Sequence, residues 1–156
     1  MEVNYFVKDK SNIVPFNVWS CGDYSKNLDG FLYNCDLELS TDYSSMGEYS
    51  LKLSKSSTTQ GYYFAFWEYP ISSSEYGKLA TFTADLFNTT PNEEIRMVLS
   101  FDSGLNTIYV PYSENKISVA VTSEIPVNTN KLTLYLSFKY DQGITYYCDN
   151  ISLTIS

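Results

Sequence analysis

The carboxylate of Asp149 lies in the alternating segment that closes the chain, where it could hold an ion. Residues 145–155 read as a strand, and Asp149 shares its odd positions with Ile151, Leu153 and Ile155. Because successive side chains of a strand point to opposite sides, this pattern predicts Asp149 at the apolar core or its rim. Burying a carboxylate is costly unless it has hydrogen bonds, a charged partner or a metal ion. The pattern therefore predicts either a structural ion site or a fixed loop at Asp149.

Residues 61–69 could stack on a sugar, because large rings occupy most positions of this segment. If the segment is a strand, rings cover both of its faces, so one set serves the core and the other needs a different reason to be apolar. A sugar ligand is such a reason, since flat rings pack on its C–H faces while polar neighbours replace water at its hydroxyls. The two sets are Tyr62, Phe64 and Phe66, and Tyr63, Trp67 and Tyr69.

Polar side chains on other predicted strands could bind the hydroxyls of a sugar. We expect these groups to line one concave sheet: Asp85, Arg96, Tyr135 and the hydroxyls of Thr81, Thr83, Thr133 and Ser137. Two carboxylates about 5 to 10 Å apart can also hydrolyse a glycosidic bond, and Glu68 with Asp85 is a conceivable pair on adjoining strands. No second motif supports that pair, and acidic side chains usually lie solvated on the surface, so we predict that the protein is not an enzyme.

The composition excludes several classes of function. The 156 residues suit one domain, residues 1–156, with a formal net charge of -8 and a pI near 4.4. An acidic protein lacks the phosphate attraction of nucleic-acid-binding proteins and is repelled by anionic membranes. There is no histidine, so the commonest general base and zinc ligand are missing. We therefore predict neutral partners, no nucleic-acid partner and no membrane insertion.

The three cysteines indicate neither a zinc site nor a complete disulfide framework. Cys21, Cys35 and Cys148 form no C-x-x-C pair, and an odd number leaves at least one thiol unpaired. Buried free thiols are one interpretation, and a bridge between Cys21 and Cys35 in an oxidising compartment is the other. The given chain shows no signal peptide, which leaves open an excised segment or export by another route, such as incorporation in a virus particle.

Alternating apolar and polar residues predict an all-β chain. Period-two runs are separated by clusters of turn-forming residues, and no helix of ordinary length is needed. Residues 13–19, 31–39, 107–112 and 117–121 are weaker strand candidates. About ten strands suit two antiparallel sheets packed face to face, a jelly-roll-like β-sandwich. The clearest runs are Tyr49, Leu51 and Leu53; Phe82, Ala84 and Leu86; Ile95, Met97, Leu99 and Phe101; and Leu132, Leu134, Leu136 and Phe138.

Two short motifs occur in an informative order along this pattern. Residues 44–53 read S-S-M-G-E-Y-S-L-K-L, and residues 147–153 read Y-C-D-N-I-S-L. They resemble the "S-x-x-G-x-Y-S-L" strand and the closing "Y-x-D-(D/N)-V-S-L" strand of jelly-roll carbohydrate-binding modules, in the galactose-binding-like β-sandwich superfamily. The resemblance covers residues 44–156, and the usual N-terminal "N-x-x-F-E" motif is not evident. The same sandwich also serves adhesion, receptor-binding and structural domains.

The resemblance implies a calcium site and an aromatic groove. In these modules the closing aspartate commonly holds a structural calcium ion, with backbone oxygens near the first motif, which carries over to Asp149 and Glu48. Calcium prefers several hard oxygen ligands, whereas the alternative is that Asp149 only accepts N–H bonds at a turn. Family members also place an aromatic residue in the groove on the strand after the first motif. This favours Trp67, with Tyr63 or Tyr69 beside it, unless Trp67 is a core residue.

Two functions of different classes follow. The leading hypothesis is a non-catalytic module that targets a neutral or weakly charged glycan through an aromatic and hydroxyl-rich groove. The alternative is a structural or adhesive protein of a virion, phage tail or cell surface that acts through protein–protein contacts. Both predict an extracellular, cell-surface or virion-associated location. The predicted groove residues are Tyr63, Trp67, Tyr69, Asp85, Arg96 and Tyr135.

Overall fold

The computed structural model describes residues 32–33, 36–45, 49–54, 61–88, 95–109, 117–140 and 145–156. These residues form ten β-strands and a short 3-10 turn at Ser73–Glu75. Within them we find no helix with the length and apolar character needed to cross a bilayer. The strands are β1 (Leu32–Tyr33), β2 (Asp36–Ser40), β3 (Ser50–Ser54), β4 (Gly61–Pro70), β5 (Leu79–Asn88), β6 (Ile95–Phe101), β7 (Asn106–Tyr109), β8 (Ile117–Glu124), β9 (Lys131–Tyr140) and β10 (Tyr146–Ile155).

The strands form two five-stranded antiparallel sheets. Sheet A has the strand order β1-β4-β9-β6-β7, and sheet B has the order β2-β3-β10-β5-β8. Successive strands mostly alternate between the two sheets, so distant parts of the chain become neighbours within each sheet. The predicted all-β chain with two antiparallel sheets is therefore confirmed.

The core lies between the inner faces of the two sheets, where the alternation places it. On β6, the four odd-numbered residues from Ile95 to Phe101 are buried, and the residues between them are partly exposed. A shift of one residue in the pairing would turn this apolar set towards water, so burial also holds the register of the strands. Other strands bury the predicted sets, among them Leu51, Leu53, Phe82, Ala84, Leu86, Leu132, Leu134 and Leu136.

The closing strand, β10, corrects one prediction from the sequence. Asp149 lies opposite Asp85, and the register between β10 and β5 shifts before Ser152. The shift is a β-bulge at Asn150, whose φ of 51° is in the left-handed region that asparagine tolerates. Because the bulge changes the phase of the strand, Ile151 faces the core, whereas Asp149 lies on the outer face of sheet B. Uninterrupted alternation had placed both residues on one face.

Some of the predictions fall on residues that the structure does not describe, whereas Cys148 can be assigned. The strand at residues 13–19, the bridge between Cys21 and Cys35, and Glu48 lie outside the described residues. Cys148 is described, and its thiol is free and buried. Burial, followed by the charges of nearby carboxylates, raises the pKa of Cys148 well above its ordinary value. The Cys148 thiol is therefore held in its unreactive, protonated form.

Candidate functional site

The outer face of sheet A carries an apolar row that crosses its strands. Phe66 of β4 lies opposite Tyr135 of β9, and Tyr135 lies opposite Val98 of β6. Val98 in turn lies opposite Ile108 of β7. At the other edge of the sheet, Leu32 of β1 pairs with Phe66. Directly opposed residues stand side by side on one face. We call Phe66, Tyr135, Val98 and Ile108 the apolar row.

The apolar row faces away from the core and is open to solvent. Phe66, Tyr135 and Val98 are partly exposed, and Ile108 is 55% exposed. The rings of Phe66 and Tyr135 have centroids 5.6 Å apart and are tilted by 36°, a favourable geometry for an aromatic pair. Contiguous exposed apolar side chains are a common mark of a binding surface.

Two polar rows flank the apolar row, one on each side. On one side, Arg96 of β6 lies opposite Ser137 of β9, and Ser137 pairs with Phe64 of β4, so this row is polar on β6 and β9 only. On the other side, Lys131 Nζ donates a hydrogen bond of 2.9 Å to Glu68 Oε1, and Ser100 donates from its hydroxyl to Asn106 Oδ1. The apolar row is thus a strip between two sets of hydrogen-bonding groups. The second flanking row consists of Glu68, Thr133, Ser100 and Asn106 in register.

The residues predicted to contact a sugar do not share one face. Tyr135 and Arg96 lie on the outer face of sheet A, in or beside the apolar row. Trp67 lies opposite the buried Leu134, so Trp67 and Tyr69 point to the inner side of β4. There they pack against the core, partly buried, with ring centroids 6.1 Å apart. Their role as ligand contacts stays a prediction.

The other two predicted groove residues lie elsewhere. Tyr63 lies on β4 with Trp67 and pairs with Phe138 of β9. The side chain of Tyr63 is not among those that the structure describes. Asp85 belongs to β5 of sheet B. Polar groups expected on one sheet are divided likewise, because Thr81 and Thr83 also lie on β5 while Thr133 and Ser137 lie on β9 of sheet A. The prediction of a single polar sheet was therefore wrong.

Sequence reasoning undervalued Phe66, Val98 and Ile108. The signal for Phe66 was Glu68, which has the same parity on β4 and is exposed. A charged residue marks the solvent side of a strand, so its parity favoured Phe66 as the outward ring. Val98 and Ile108 gave no comparable signal, since their alignment with Tyr135 depends on the pairing of three strands.

The outer face of sheet B has the opposite character, because its central row is polar and covered. Ser50 and Asp149 are fully buried, and Asp85 is 9% exposed. Ser50 lies beside Asp149, since the residues next to them, Leu51 and Cys148, are paired. The row crosses all five strands of the sheet. We call it the buried polar row: Ser40, Ser50, Asp149 and Asp85, which are buried, and Ser118, which is exposed at the edge of the sheet.

The loop before β3 covers the buried polar row through hydrogen bonds. The backbone N–H of Ser45 donates to Asp149 Oδ2 at 2.8 Å, and the N–H of Asn150 donates to Asp149 Oδ1 at 2.8 Å. The Ser45 hydroxyl donates to Asp85 Oδ2 at 2.7 Å, and the Ser118 hydroxyl donates to Asp85 Oδ1 at 2.5 Å. These charge-assisted bonds offset part of the cost of burying the two carboxylates.

Tyr43 packs beside the centre of the buried polar row, on the rings two positions along β10 and β5 from Asp149 and Asp85. Its ring stacks on Phe87 at a centroid distance of 4.8 Å and lies 6.0 Å from the ring of Tyr147. Burial, followed by the nearby carboxylates of Asp85 and Asp149, raises the pKa of Tyr43 to about 12. Both causes favour the neutral phenol, because a phenolate would be desolvated and repelled there.

The oxygens around Asp149 fit the calcium ion that the sequence resemblance implies. Ser50 Oγ is buried beside Asp149 and has no hydrogen-bond partner among the residues that the structure describes. This hydroxyl and the carboxylates of Asp149 and Asp85 are hard oxygen ligands, which calcium prefers. Within the described ranges, no three histidine, cysteine or acidic side chains form a metal-binding group. A calcium ion would therefore also need hydroxyl or main-chain oxygens, and Glu48 lies outside those ranges.

The carboxylate pair considered for hydrolysis is not formed. Glu68 lies opposite Thr133 on the outer face of sheet A, whereas Asp85 lies on the outer face of sheet B. The two faces point in opposite directions and are separated by a sandwich core about 10 Å thick. Glu68 and Asp85 therefore cannot act together on one glycosidic bond.

A shallow cavity of about 300 Å³ lies beside Asp85 on sheet B. Its lining includes Thr83, Ser118, Ala120 and Asn150, together with Asp85. None of the described residues that line it is aromatic, so they offer no ring on which a sugar could stack. The apolar row of sheet A is the better candidate for a ligand platform.

Comparisons with known proteins give structural likeness without sequence likeness. No protein-family model matches the chain, and no curated protein sequence matches it. A xylan-binding domain from carbohydrate-binding module family 22 has a TM-score of 0.67 and 14% identity, over 95% of this chain and 97% of that one. A family 61 module in complex with β-1,4-galactotriose has a TM-score of 0.66 and 11% identity, over 84% and 92%.

A bacteriophage chain shares the same architecture. The enzymatically active domain of tailspike protein 4 from bacteriophage CBA120 has a TM-score of 0.65 and 11% identity, over 89% of this chain and 22% of that chain. At such identities the likeness concerns the fold and not the activity. Together these structures show that the chain has the jelly-roll β-sandwich fold of carbohydrate-binding modules.

Proposed function

We propose that the outer face of sheet A binds a neutral or weakly charged oligosaccharide without hydrolysing it. The observation that carries this proposal is the continuous apolar row between two polar rows. A sugar chain is amphipathic in the same sense, because its rings have C–H faces and its edges carry hydroxyls. The face therefore matches such a ligand in the arrangement of its apolar and polar groups.

The dimensions of the apolar row suit a short oligosaccharide that lies across the strands. Neighbouring strands are about 4.8 Å apart, so the four strands that carry the row span roughly 14 Å. Phe66 and Tyr135 supply the stacking surface, while Arg96 and Ser137 face one edge of the ligand and the partly exposed Ser100 faces the other. The acidic net charge of -8 disfavours polyanionic glycans.

The structural neighbours support this class of ligand. The family 61 module was solved with β-1,4-galactotriose, and the family 22 domain is a xylan-binding domain. Their names concern those proteins, and the transfer to this chain rests on the shared fold together with the apolar row. Since such modules and a phage tailspike share the fold, we place the protein outside the cell, on a cell surface or on a virion.

Calorimetric titration with neutral oligosaccharides, guided by a glycan array, tests the proposed function. We expect Phe66→Ala and Tyr135→Ala each to weaken binding at least about tenfold, as aromatic anchors of an interface do. Tyr135→Phe keeps the ring and should retain most of the affinity. Thr122→Ala, at an exposed position of sheet B, is the matched control and should bind like the wild type.

Two outcomes would oppose this assignment. Full affinity in both ring variants would remove the apolar row from the site. Loss of binding in Trp67→Phe, with an unchanged melting temperature, would instead return the site to the residues predicted from the sequence. Circular dichroism of each variant checks that a loss of binding is not a loss of folding.

The alternative function is structural or adhesive and acts through protein contacts. The likeness to a phage tailspike chain favours it, and an exposed apolar row could also pack on another protein. Light scattering and crosslinking distinguish the two functions. Defined oligomers together with a blank glycan array would support the structural alternative, whereas a monomer that binds a glycan would support the leading proposal.

Calcium has a structural part in this proposal. An ion held by Asp149, with the Ser50 hydroxyl and the predicted ligand Glu48, would neutralise a buried carboxylate and tie the loop before β3 to sheet B. The ion would lie on the opposite side of the sandwich from the apolar row. It would therefore support the fold and make no contact with the glycan.

A further inference from the structure

We propose that the site prefers glycans that carry acetyl groups, with the acetyl methyl packed on Val98 and Ile108. This inference rests on the proposed function, because it concerns one end of the same apolar row. The acetyl group belongs to the chemistry of both O-acetylated and N-acetylated sugars. The aliphatic side chains at this end of the row and the amide group beside them favour this substituent over an unmodified sugar.

The two ends of the apolar row differ in kind. Phe66 and Tyr135 on β4 and β9 are rings, whereas Val98 and Ile108 on β6 and β7 are branched aliphatic side chains. A ring offers a flat surface to a whole sugar, but a branched aliphatic pair offers a small irregular surface. Ile108 is 55% exposed and gains most by contact with an apolar group. A methyl group fits this end of the row.

The neighbouring polar pair limits which groups can bind beside that methyl. The Ser100 hydroxyl donates to Asn106 Oδ1, so the carbonyl oxygen of Asn106 is already engaged. The amide nitrogen of Asn106 remains as a donor next to Ile108, two positions along β7. An acetyl group combines a methyl with a carbonyl that accepts from such a donor. A sugar hydroxyl could also accept from this donor, but it brings no methyl group to cover Val98 and Ile108.

The experiment compares matched probes with the full chain. The first pair is acetylated xylan and the same xylan after mild alkaline deacetylation. The second pair is N-acetylglucosamine oligosaccharides and glucose oligosaccharides of equal length, which keeps both probes neutral. One buried methyl contributes about fourfold in affinity, and a net hydrogen bond adds a few-fold more. We therefore expect wild type to bind an acetylated probe about tenfold more tightly than its partner, and the probe pair that shows this identifies the acetyl linkage.

Two variants test the contacts separately. Ile108→Thr keeps a β-branched residue on β7 but weakens the apolar contact, so the ratio of affinities should fall towards one. Asn106→Asp keeps an acceptor for Ser100 and removes the amide donors, with the same expected effect on the ratio. Val127→Ala, which shortens another exposed apolar residue, is the control and should leave the ratio unchanged.

The outcomes separate this inference from the function on which it rests. Equal binding within each of the two probe pairs, with binding lost in Phe66→Ala, would overturn the acetyl preference and keep the glycan-binding face. A tenfold preference that survives Ile108→Thr and Asn106→Asp would overturn the assigned contacts. Wild type that binds none of the four probes would overturn both the preference and the proposed function.

Discussion

The two outer faces of the sandwich use their central rows in opposite ways. On sheet A the central row is apolar and open to solvent, with Ile108 more than half exposed. On sheet B the central row is polar and closed, and Ser45 of the preceding loop donates hydrogen bonds to the carboxylates of Asp149 and Asp85. Apolar groups in water and carboxylates away from water are both unfavourable, so each face needs a compensating partner.

The two central rows also differ in what contacts them. The carboxylates of sheet B find their partners within the chain, in hydroxyls and backbone N–H groups. On sheet A, Ile108 is 55% exposed, and Phe66, Tyr135 and Val98 are partly exposed. The buried polar row is therefore compensated within the chain, whereas the ligand proposed for sheet A would bind on the apolar row.

The largest effect is expected from Asp149→Asn. The amide would replace one acceptor oxygen by a donor, so a backbone N–H of Ser45 or Asn150 would lose its partner in a buried position. We expect the free energy of unfolding to fall by about 3 kcal/mol, measured by urea denaturation. Glycan affinity of the folded variant should be unchanged, because Asp149 lies on the opposite sheet.

Asp102→Asn is the matched control for Asp149→Asn. Asp102 Oδ1 also accepts two backbone N–H groups, from Asn130 at 2.8 Å and Lys131 at 3.1 Å, but the residue is exposed. Water can replace a lost partner there, so the loss of stability should be smaller. A gain of stability in Asp149→Asn would contradict the structural role, since it would mean that repulsion between the carboxylates outweighs their hydrogen bonds.

The second effect concerns calcium. If the buried polar row holds an ion, calcium at about 100 times its dissociation constant should stabilise the fold by about 2.7 kcal/mol. Differential scanning calorimetry with calcium and with excess EDTA measures this as a higher melting temperature. Asp149→Asn should lose the difference, whereas Asp102→Asn should keep it. An equal melting temperature in calcium and EDTA for wild type would leave hydrogen bonds as the only compensation for Asp149.

The third effect is a loss of stability in alkali. Folding raises the pKa of Tyr43 to about 12, so between pH about 10 and about 12 the unfolded chain releases a proton that the folded chain retains. The unfolded state then binds fewer protons, and the free energy of unfolding falls as pH rises through this window. At pH values below this window, Tyr43 is protonated in both states, so it adds no pH dependence to the free energy of unfolding.

Tyr43→Phe isolates this effect. The variant cannot ionise at that position, so its unfolding free energy should fall less steeply between pH about 10 and about 12 than that of wild type. Tyr69 and Tyr147 also have raised pKa values, so part of the slope should remain. Urea denaturation at several pH values measures both slopes. Identical slopes would show that packing beside the buried polar row does not raise the pKa of Tyr43.

The smallest effect is expected from Glu68→Gln, in the second polar row that flanks the apolar row of sheet A. The Lys131–Glu68 ion pair measures 2.9 Å, but its side chains are 46% and 40% exposed. Such pairs contribute little, so we expect a change below about 0.5 kcal/mol in the free energy of unfolding. Hydrolysis of a glycan by wild type that is lost in Glu68→Gln would contradict the non-catalytic assignment.

The sequence allowed much of the fold to be predicted, and less of the site. Strands such as β6 and β9 were evident because each buries one clean apolar set, which fixes both their type and their inner face. β4 was ambiguous because rings occur on both of its sides. The pairing of Trp67 with Leu134 settles which rings face inward. The sequence therefore led us to choose Trp67 as the ring that contacts a ligand, whereas the strand pairing places Phe66 on the outer face.

Asp149 shows a second limit of pattern reading. Its type and its position in the closing strand correctly predicted a buried, compensated carboxylate. Its face was wrong, because the bulge at Asn150 adds one residue that no periodic pattern reveals. Of the two backbone N–H groups that donate to Asp149, one belongs to the next residue, Asn150, whereas the other belongs to Ser45, which is 104 positions away in the chain.

The amino-acid pattern was sufficient for the all-β class, the two-sheet sandwich and most of the inner core. These follow from alternation within single strands, which is a local property of the chain. The apolar row of sheet A and the buried polar row of sheet B required the folded protein. Each row takes one residue from each of several strands, and only the pairing of those strands, with its single bulge on β10, brings the residues into line.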